Sequence, residues 1–502
     1  MFLGIDIGTS EVKALLLDTN HQVVGSAGAA LAVSRPHPGH SEQQPEDWWT
    51  ATQAALAQLR QAHPEAYGAT EAIGLSGQMH GAVLLDAGNQ VLRPAILWND
   101  TRSAIECTAM MAELPDLPAL AGSLAMPGFT APKLRWVARH EPEIFQRIAK
   151  VLLPKDYVRL MLTGDFLTDM SDASGTLWLD VQRRVWSDEL LALTGLTQAH
   201  MPGLVEGSAA GGPLSAKAAQ ALGLRAGTVV AGGAGDNAAS AVGMGATEAG
   251  QGFLSLGTSG VLFVVTPSYQ PNAASATHAF CHALPNRWHQ MSVMLSAASS
   301  LQWATRLLGA PSEGALAVQA SALALAERAA APIFLPYLDG ERTPHNDADI
   351  RGSFHDLSFT TDAARLAYAV MEGVTFGLRD GLAALTAAGS SVRRLSLVGG
   401  GSRSAMWAQQ LASSLDIEIL THSDSAVGGA LGAARLAWLS TGAALQTVCK
   451  TPAVEVAYAP DPDEQEMLSS RYARFRALYA PSHTASPKAG AASQGKSGST
   501  TC

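Results

Sequence analysis

Apolar residues come in two short blocks at the start of the chain, FLGIDI and VKALLL, on either side of a turn at Gly8-Thr9-Ser10. Blocks of that length flanking a Gly-rich turn predict two strands of a hairpin. The pattern returns in GFLSLGTSGVLFVVT, residues 252–266, with Gly257-Thr258-Ser259 at its turn. Small residues at such tips let backbone N–H groups and hydroxyls come close to an anion. A plain structural hairpin accounts for either copy alone. Two copies point to a duplicated fold, in which each half lends one loop to grip phosphates across a cleft.

Three further segments have a readable pattern. Leu395 to Val398 reads as a buried strand, Gly399-Gly400-Gly401 as a tight turn, and Ser402 as the N-cap of a following helix. A nucleotide base or ribose can lie against such glycines, and close helix packing explains them equally well. TVVAGGAGDNAASAVG places Asp236 just after a strand that ends in glycines, a good position for a catalytic base. Its GAGDNA also fits the looser dinucleotide form GxGxxA, but it lies mid-chain and lacks the acid expected further on. In TTDAARLAYAVMEGVTFGLRDGLAAL, Leu366, Val370, Val374, Leu378 and Leu382 recur every fourth residue, which predicts a long buried helix. Gly373, Gly377 and Gly381 form a second row, open to close packing.

Composition narrows the class. The 502 residues are 47% hydrophobic, enough for sizeable cores, and include 48 glycines, which imply many tight turns. On a length prior of about 150 residues per domain, the chain holds two to four domains. A net charge of −10 argues against nucleic acid or an anionic membrane as the main partner. Cys107, Cys281, Cys449 and Cys502 are widely spaced and form no CxxC pair, as expected of free thiols in a reducing compartment. Asp6 interrupts what would be the apolar region of a signal peptide, and no stretch is long and apolar enough to span a membrane. A cytoplasmic enzyme is expected.

Candidate chemistry gathers at a few of these sites. Only the first Gly-Thr-Ser turn has an acid beside it, Asp6, which would hold a phosphate-bound Mg2+ or else satisfy turn N–H groups. Lys13 either reaches the phosphates or is an exposed strand lysine. GQMHG, residues 77–81, supplies Gln78 and His80 for hydroxyls and Met79 as an apolar wall, with no cation, which suits a neutral polyol. A lone His in an apolar stretch is more often a core residue; the flanking glycines favour the pocket. GAASQGKS at 490–497 matches the Walker A expression, but no strand precedes it and no helix can follow. A disordered tail over 480–502 is the better account.

Together these stretches resemble the FGGY family of carbohydrate kinases, over residues 1 to about 479. The likeness rests on the DIGTS loop, GDN around Asp236, LSLGTSG and VGGGSRS, in that order, and on GFTAPKLRWVARH with Lys133 and Trp136. It implies an α/β, duplicated actin- and hexokinase-like (ribonuclease H-like) ATPase fold with two domains around a cleft. Residues 1–243 would form the sugar-binding side and 244–479 the nucleotide-binding side. GQMHG, RPAILWNDTR, LPKDY, MSDASGTLWLD, FCHALPNRWH and LPYLDGERTPHN look like the family's D-xylulose-phosphorylating branch. This implies transfer of the ATP γ-phosphate to O5 of D-xylulose. Asp236 would be the base and Asn237 would fix a sugar hydroxyl. Asp6 would sit at the metal and phosphates, with Gln78, Met79 and His80 in the sugar pocket. Gly8, Thr9, Ser10, Lys13, Gly257, Thr258, Ser259, Gly400, Gly401 and Ser402 would face ATP and Mg2+. RGSFHDL departs from the pattern by carrying Asp356 where the family has glycine, which puts that local turn in doubt. A family kinase acting on ribulose, gluconate or glycerol is the nearby alternative, and a non-catalytic actin-like or sugar-sensing protein the distant one. Asp236 beside Asn237 speaks against the latter. Oligomeric state stays open, a homodimer included.

Overall fold

The computed structural model describes residues 1–422 and 428–484, with side chains to Tyr479. The Walker-like GAASQGKS and most of the expected disordered tail lie outside the described residues. At 480–484 the final helix continues instead.

The first sheet consists of β1 (Phe2–Ile7), β2 (Glu11–Leu17), β3 (Val23–Ala30), β4 (Ala72–Gly77), β5 (Ala210–Pro213) and β6 (Val229–Ala231). Its order is β5-β6-β4-β1-β2-β3, and Ala234–Gly235 adds a short pairing on β4. The second sheet consists of β7 (Gly252–Leu256), β8 (Gly260–Thr266), β9 (His278–Cys281), β10 (Trp288–Met294), β11 (Arg394–Val398), β12 (Glu418–His422) and β13 (Val454–Tyr458). Its order is β9-β10-β8-β7-β11-β12-β13.

The two sheets repeat one topology. β1-β2-β3 and β7-β8-β10 are antiparallel three-strand runs, the second with β9 inserted before β10 on the outer edge, and each is continued by two parallel strands: β4 and β6 in the first sheet, β11 and β12 in the second. Both Gly-Thr-Ser turns therefore join the first two strands of such a run. Apolar side chains of β1, β2, β7 and β8 are almost wholly buried because both faces of each sheet are covered.

The helices that position the site are α1 (Thr130–His140), α2 (Pro154–Thr163), α3 (Met170–Ser174), α4 (Asp236–Gly243), α5 (Ala298–Leu307), α6 (Glu313–Ser321), α7 (Ala363–Ala387), α8 (Ala405–Leu415), α9 (Gly428–Leu439) and α10 (Pro462–Thr484). The period-four apolar row lies on α7, and the glycine row brings its backbone against β10 of the second sheet and against the separate short strand Ile333–Leu335. A Cβ on Gly373 would stand 2.3 Å from the Phe334 carbonyl oxygen, and one on Gly381 would stand 2.5 Å from Ser292 Oγ on β10. Asp356 is left-handed at φ 64° and pairs with Arg474 at 2.6 Å. Asp is among the residues that tolerate this left-handed region.

One helix crosses the sequence division. α9 belongs to the second half of the chain, yet it seats on β1 and β4 of the first sheet: a Cβ on Gly4 would lie 2.0 Å from the Ala430 carbonyl oxygen, and one on Gly74 would lie 1.8 Å from that of Ala433. A large apolar cluster joins the halves, running from Met79 and Phe129 to Phe253, Phe263 and Phe280. Among the described residues no helix is long and apolar enough to cross a membrane.

Candidate active site

β1 delivers two groups to the cleft: the Gly8-Thr9-Ser10 turn and, two residues before it, Asp6. The turn is fixed from behind. Gln43 Nε2 donates to the Thr9 carbonyl (2.7 Å), and Gln78 Nε2 donates to the Gly8 carbonyl (3.3 Å) and to Gln43 Oε1 (2.9 Å). The Thr9 hydroxyl donates to Gln78 Oε1 and accepts from Trp98 Nε1, both at 3.0 Å. The Gln78 amide is thus engaged by the turn, and at 3% exposure it offers little to a sugar. The sheet register places Lys13 opposite Asp6 on one side and Ser76 on the other. Asp6 Oδ1 is buried with no hydrogen-bond partner, and burial raises the carboxyl's pKa above the usual range. Gly429, at the start of α9, leaves this carboxyl its room: a Cβ there would lie 2.8 Å from Asp6 Cγ.

Asp236 opens α4, directly after Gly235. Its Oδ1 accepts from Asn237 N (2.7 Å) and Nδ2 (3.0 Å), which leaves Oδ2 for the cleft. Burial, and then the nearby Asp6 charge, push its pKa up to about 7. The loop before it hangs on a buried ionic cluster whose role the sequence did not show. Lys155 of α2 pairs with Asp156 (2.6 Å), Asp169 (2.9 Å) and Asp172 (3.0 Å). Asp169 accepts from the Ser171 N–H and hydroxyl, and Ser171 Oγ in turn accepts from Gly235 N at 3.1 Å.

Met79 and His80 adjoin the same spot. A Cβ on Gly235 would touch Met79 Sδ at 2.8 Å, and one on Gly175 would lie 2.5 Å from the His80 ring. His80 is left-handed at φ 71°, held there by Lys133 Nζ (2.8 Å) and Thr130 Oγ1 (3.2 Å) donating to its carbonyl. His80 Nδ1 lies 2.7 Å from the Gly175 carbonyl. A carbonyl only accepts, so Nδ1 carries the hydrogen and Nε2 is left as an acceptor. Burial lowers the His80 pKa to about 3, so the ring is neutral at pH 7. Trp136 stacks on His140 and lies under Arg93 and Arg102 on the far side of α1, a structural role.

The second Gly-Thr-Ser turn is tied to the start of α5. Ala298 N donates to the Gly257 carbonyl (2.8 Å), and Ser299 Oγ donates to that of Thr258 (2.7 Å). Beside it opens a cavity of about 840 Å³, lined by Gly257, Thr258, Gly400 and Gly401 and by apolar faces of α5, α6 and α8. Its size falls within the range of small-ligand sites. Gly400 meets nothing within 4 Å of a built Cβ, so its face is open to the cavity. Ser402 is not the N-cap expected from the sequence. It lies in a short 3-10 turn with its hydroxyl donating back to the Gly399 carbonyl (2.7 Å), and Ser404 caps α8 instead. Two extra residues in that turn displace the cap.

Paired Gly-Thr-Ser turns, a near-neutral carboxyl and a ligand-sized cavity in a duplicated two-domain fold are the arrangement of a phosphotransferase. Family models agree: the N-terminal domain of the FGGY family of carbohydrate kinases matches residues 1–243 and the C-terminal domain matches residues 252–441. The xylulose kinase of Escherichia coli is 49% identical over 95% of this chain and 98% of its own length. The Bacillus subtilis xylulose kinase is 38% identical over 88% of each chain. Among solved structures, the "xyloylose kinase" of Brucella ovis superposes with a TM-score of 0.93 at 52% identity, covering 96% of this chain and 99% of that one. The Rhodospirillum rubrum xylulose kinase gives 0.90 at 30% identity over the same shares. The chain belongs to the FGGY family of carbohydrate kinases.

Proposed function

We propose that the chain transfers the γ-phosphoryl group of ATP to O5 of D-xylulose, giving D-xylulose 5-phosphate and ADP. One observation carries the reading. Asp236, with a pKa near 7, lies where the Met79-His80 pocket meets the acid of the first phosphate turn. A base poised near the working pH is what proton removal from an alcohol requires. The O5 proton passes to Asp236 Oδ2 as the O5–P bond forms and the bond to the β-phosphate oxygen breaks. Such transfer depends on positioning and charge stabilisation more than on covalent help. Backbone N–H groups of the two Gly-Thr-Ser turns, with Lys13, face the phosphates, and the base and ribose occupy the cavity against Gly400 and Gly401. His80 Nε2 accepts from a sugar hydroxyl, and Met79 forms the apolar wall.

Asp6 suits Mg2+: its buried Oδ1 lacks a hydrogen-bond partner, and carboxylate oxygen is the donor this cation prefers. Among the described residues no group of three or more His, Cys, Asp or Glu side chains could cage a metal, so phosphate oxygens and water would complete the shell. The ion would supply charge neutralisation on the phosphates. A coupled assay with D-xylulose, D-ribulose, D-gluconate and glycerol tests the assignment. D-xylulose gives the highest kcat/KM; a higher value for any other acceptor overturns it.

A further inference from the structure

A second cavity, of about 960 Å³, opens at the opposite end of the second sheet from the one beside the Gly257 turn. Gly252, which starts β7, lines it, as do Arg394 and Ser396 of β11. Those two strands run in parallel, and the turns that follow them bring Gly257 and Gly400 to the first cavity. The five residues of β7 therefore hold the two cavities roughly 15 Å apart. The lining of the second cavity is graded in chemistry. Arg393 and Arg394 are exposed and stand at its mouth, and among the described residues that line it no Asp, Glu, Lys or His balances them. Arg394 meets Glu418 only at 3.8 Å with both side chains exposed, a pair too weak to occupy the guanidinium. Thr266, Ser390 and Ser396 are buried, and the hydrogen of each hydroxyl is already placed. Thr266 Oγ1 donates to the Ser268 carbonyl (2.9 Å), and Ser390 Oγ donates to Gln290 Oε1. Ser396 Oγ lies 2.8 Å from Nε2 of His422, whose Nδ1 faces the Pro452 and Ala453 carbonyls at 3.2 Å. Carbonyls only accept, so Nδ1 carries the hydrogen of the neutral ring, Nε2 accepts, and Ser396 donates. All three hydroxyl oxygens are left as acceptors.

We propose that this cavity is a second ligand site that binds a sugar monophosphate, with the phosphate on Arg393 and Arg394 and the sugar hydroxyls donating to the buried oxygens. Two guanidinium groups with no acid in the lining select an anion, and their planar forks match phosphate oxygens. Hydroxyls whose own hydrogens are taken select a ligand that brings donors. A sugar brings several; an inorganic phosphate or a simple carboxylate does not. The volume lies within the range of small-ligand sites, with room for a five- or six-carbon sugar phosphate. Binding there is independent of the acceptor and the base assigned above, since none of Asp6, Met79, His80 and Asp236 lines this cavity.

The test is calorimetric titration of the full chain, saturated with ADP, with D-ribose 5-phosphate, D-fructose 6-phosphate, D-glucose 6-phosphate, inorganic phosphate and D-ribose. Wild type, His80→Ala and the double variant Arg393→Ala/Arg394→Ala are compared, with a melting temperature for each. At least one of the three sugar phosphates should bind about tenfold or more tighter than both inorganic phosphate and D-ribose. His80→Ala should leave that affinity unchanged, and the double variant should weaken it about tenfold or more. Both arginines are exposed, so the double variant should melt near wild type. Inorganic phosphate bound as tightly as every sugar phosphate would leave only an anion patch and overturns the inference. So does undiminished binding in the double variant. Binding lost in His80→Ala also overturns it, because the ligand would then lie in the active site.

Discussion

Replacing Asp236 with Asn should make the protein more stable and nearly inactive, and both effects have a computable size. Burial and Asp6 raise the Asp236 pKa from 3.8 to about 7. A raised folded-state pKa favours the protonated form, so stability is full below the unfolded pKa and is lost as pH rises through the folded one. The loss accumulates between about pH 4 and pH 7, at about 1.4 kcal/mol per pH unit. The full shift corresponds to about 4 kcal/mol; the carboxyl partly faces cleft water, which reduces this to about 2–3 kcal/mol. Asn keeps the shape and never ionises. The ligand-free variant should therefore melt several degrees above wild type at pH 8, with the gap shrinking steadily towards pH 5. Its kcat with D-xylulose should fall by about 10²–10⁴, the usual contribution of a general base. Wild-type kcat/KM should drop tenfold per pH unit below about pH 7. Scanning calorimetry at four pH values and steady-state kinetics read both effects. A variant turning over near the wild-type rate would refute Asp236 as the base. A melting gap that does not widen from pH 5 to pH 8 would refute the electrostatic account.

Gly400→Val should raise the ATP KM at least tenfold while leaving the D-xylulose KM and the melting temperature near wild type, because the added side chain enters open cavity and not the core. Unchanged ATP kinetics would move the nucleotide elsewhere. His80→Ala should raise the D-xylulose KM more than the ATP KM; because burial keeps the ring neutral above about pH 3, the effect should be flat from pH 5 to pH 8. An effect that varies over that range would mean that the ring titrates. Deleting residues 485–502, which contain the Walker-like GAASQGKS, should leave the ATP KM unchanged, and a loss of affinity in the shortened protein would return that match to consideration.

What was legible in the sequence is local. The two Gly-Thr-Ser turns, the α7 period and Asp236 after its glycines each follow from residues adjacent in the chain, where strand, turn and helix preferences act. What was not legible comes from distant segments brought together. Gln78 reads as a sugar ligand beside Met79 and His80, but strand alternation turns it back towards Gly8, where Gln43 and Thr9 meet it. Lys155 and Asp169 hold the base loop through Ser171 and Gly235, a chain of contacts spanning many residues that no period records. Ser402 failed for a smaller reason: cap rules place Ser before a helix, and both Ser402 and Ser404 satisfy them until the turn geometry selects one.

The packing of α4 on α9 links these observations to catalysis. A Cβ on Gly432 would lie 1.7 Å from the Ala239 carbonyl oxygen, and one on Gly243 would lie 2.7 Å from that of Gly428, so these helices touch backbone to backbone. α4 begins with Asp236, the proposed base, and α9 begins beside Asp6 while belonging to the half of the chain that lines the cavity beside the second Gly-Thr-Ser turn. Close-packed backbones transmit displacement with little slack. Asp236, the Asp6 carboxyl and the second half of the chain therefore keep a fixed relation near this contact. The apolar cluster from Met79 and Phe129 to Phe253, Phe263 and Phe280 joins the halves a second time, beside the His80 ring. Excluding water from the site between these two contacts would guard against hydrolysis of ATP.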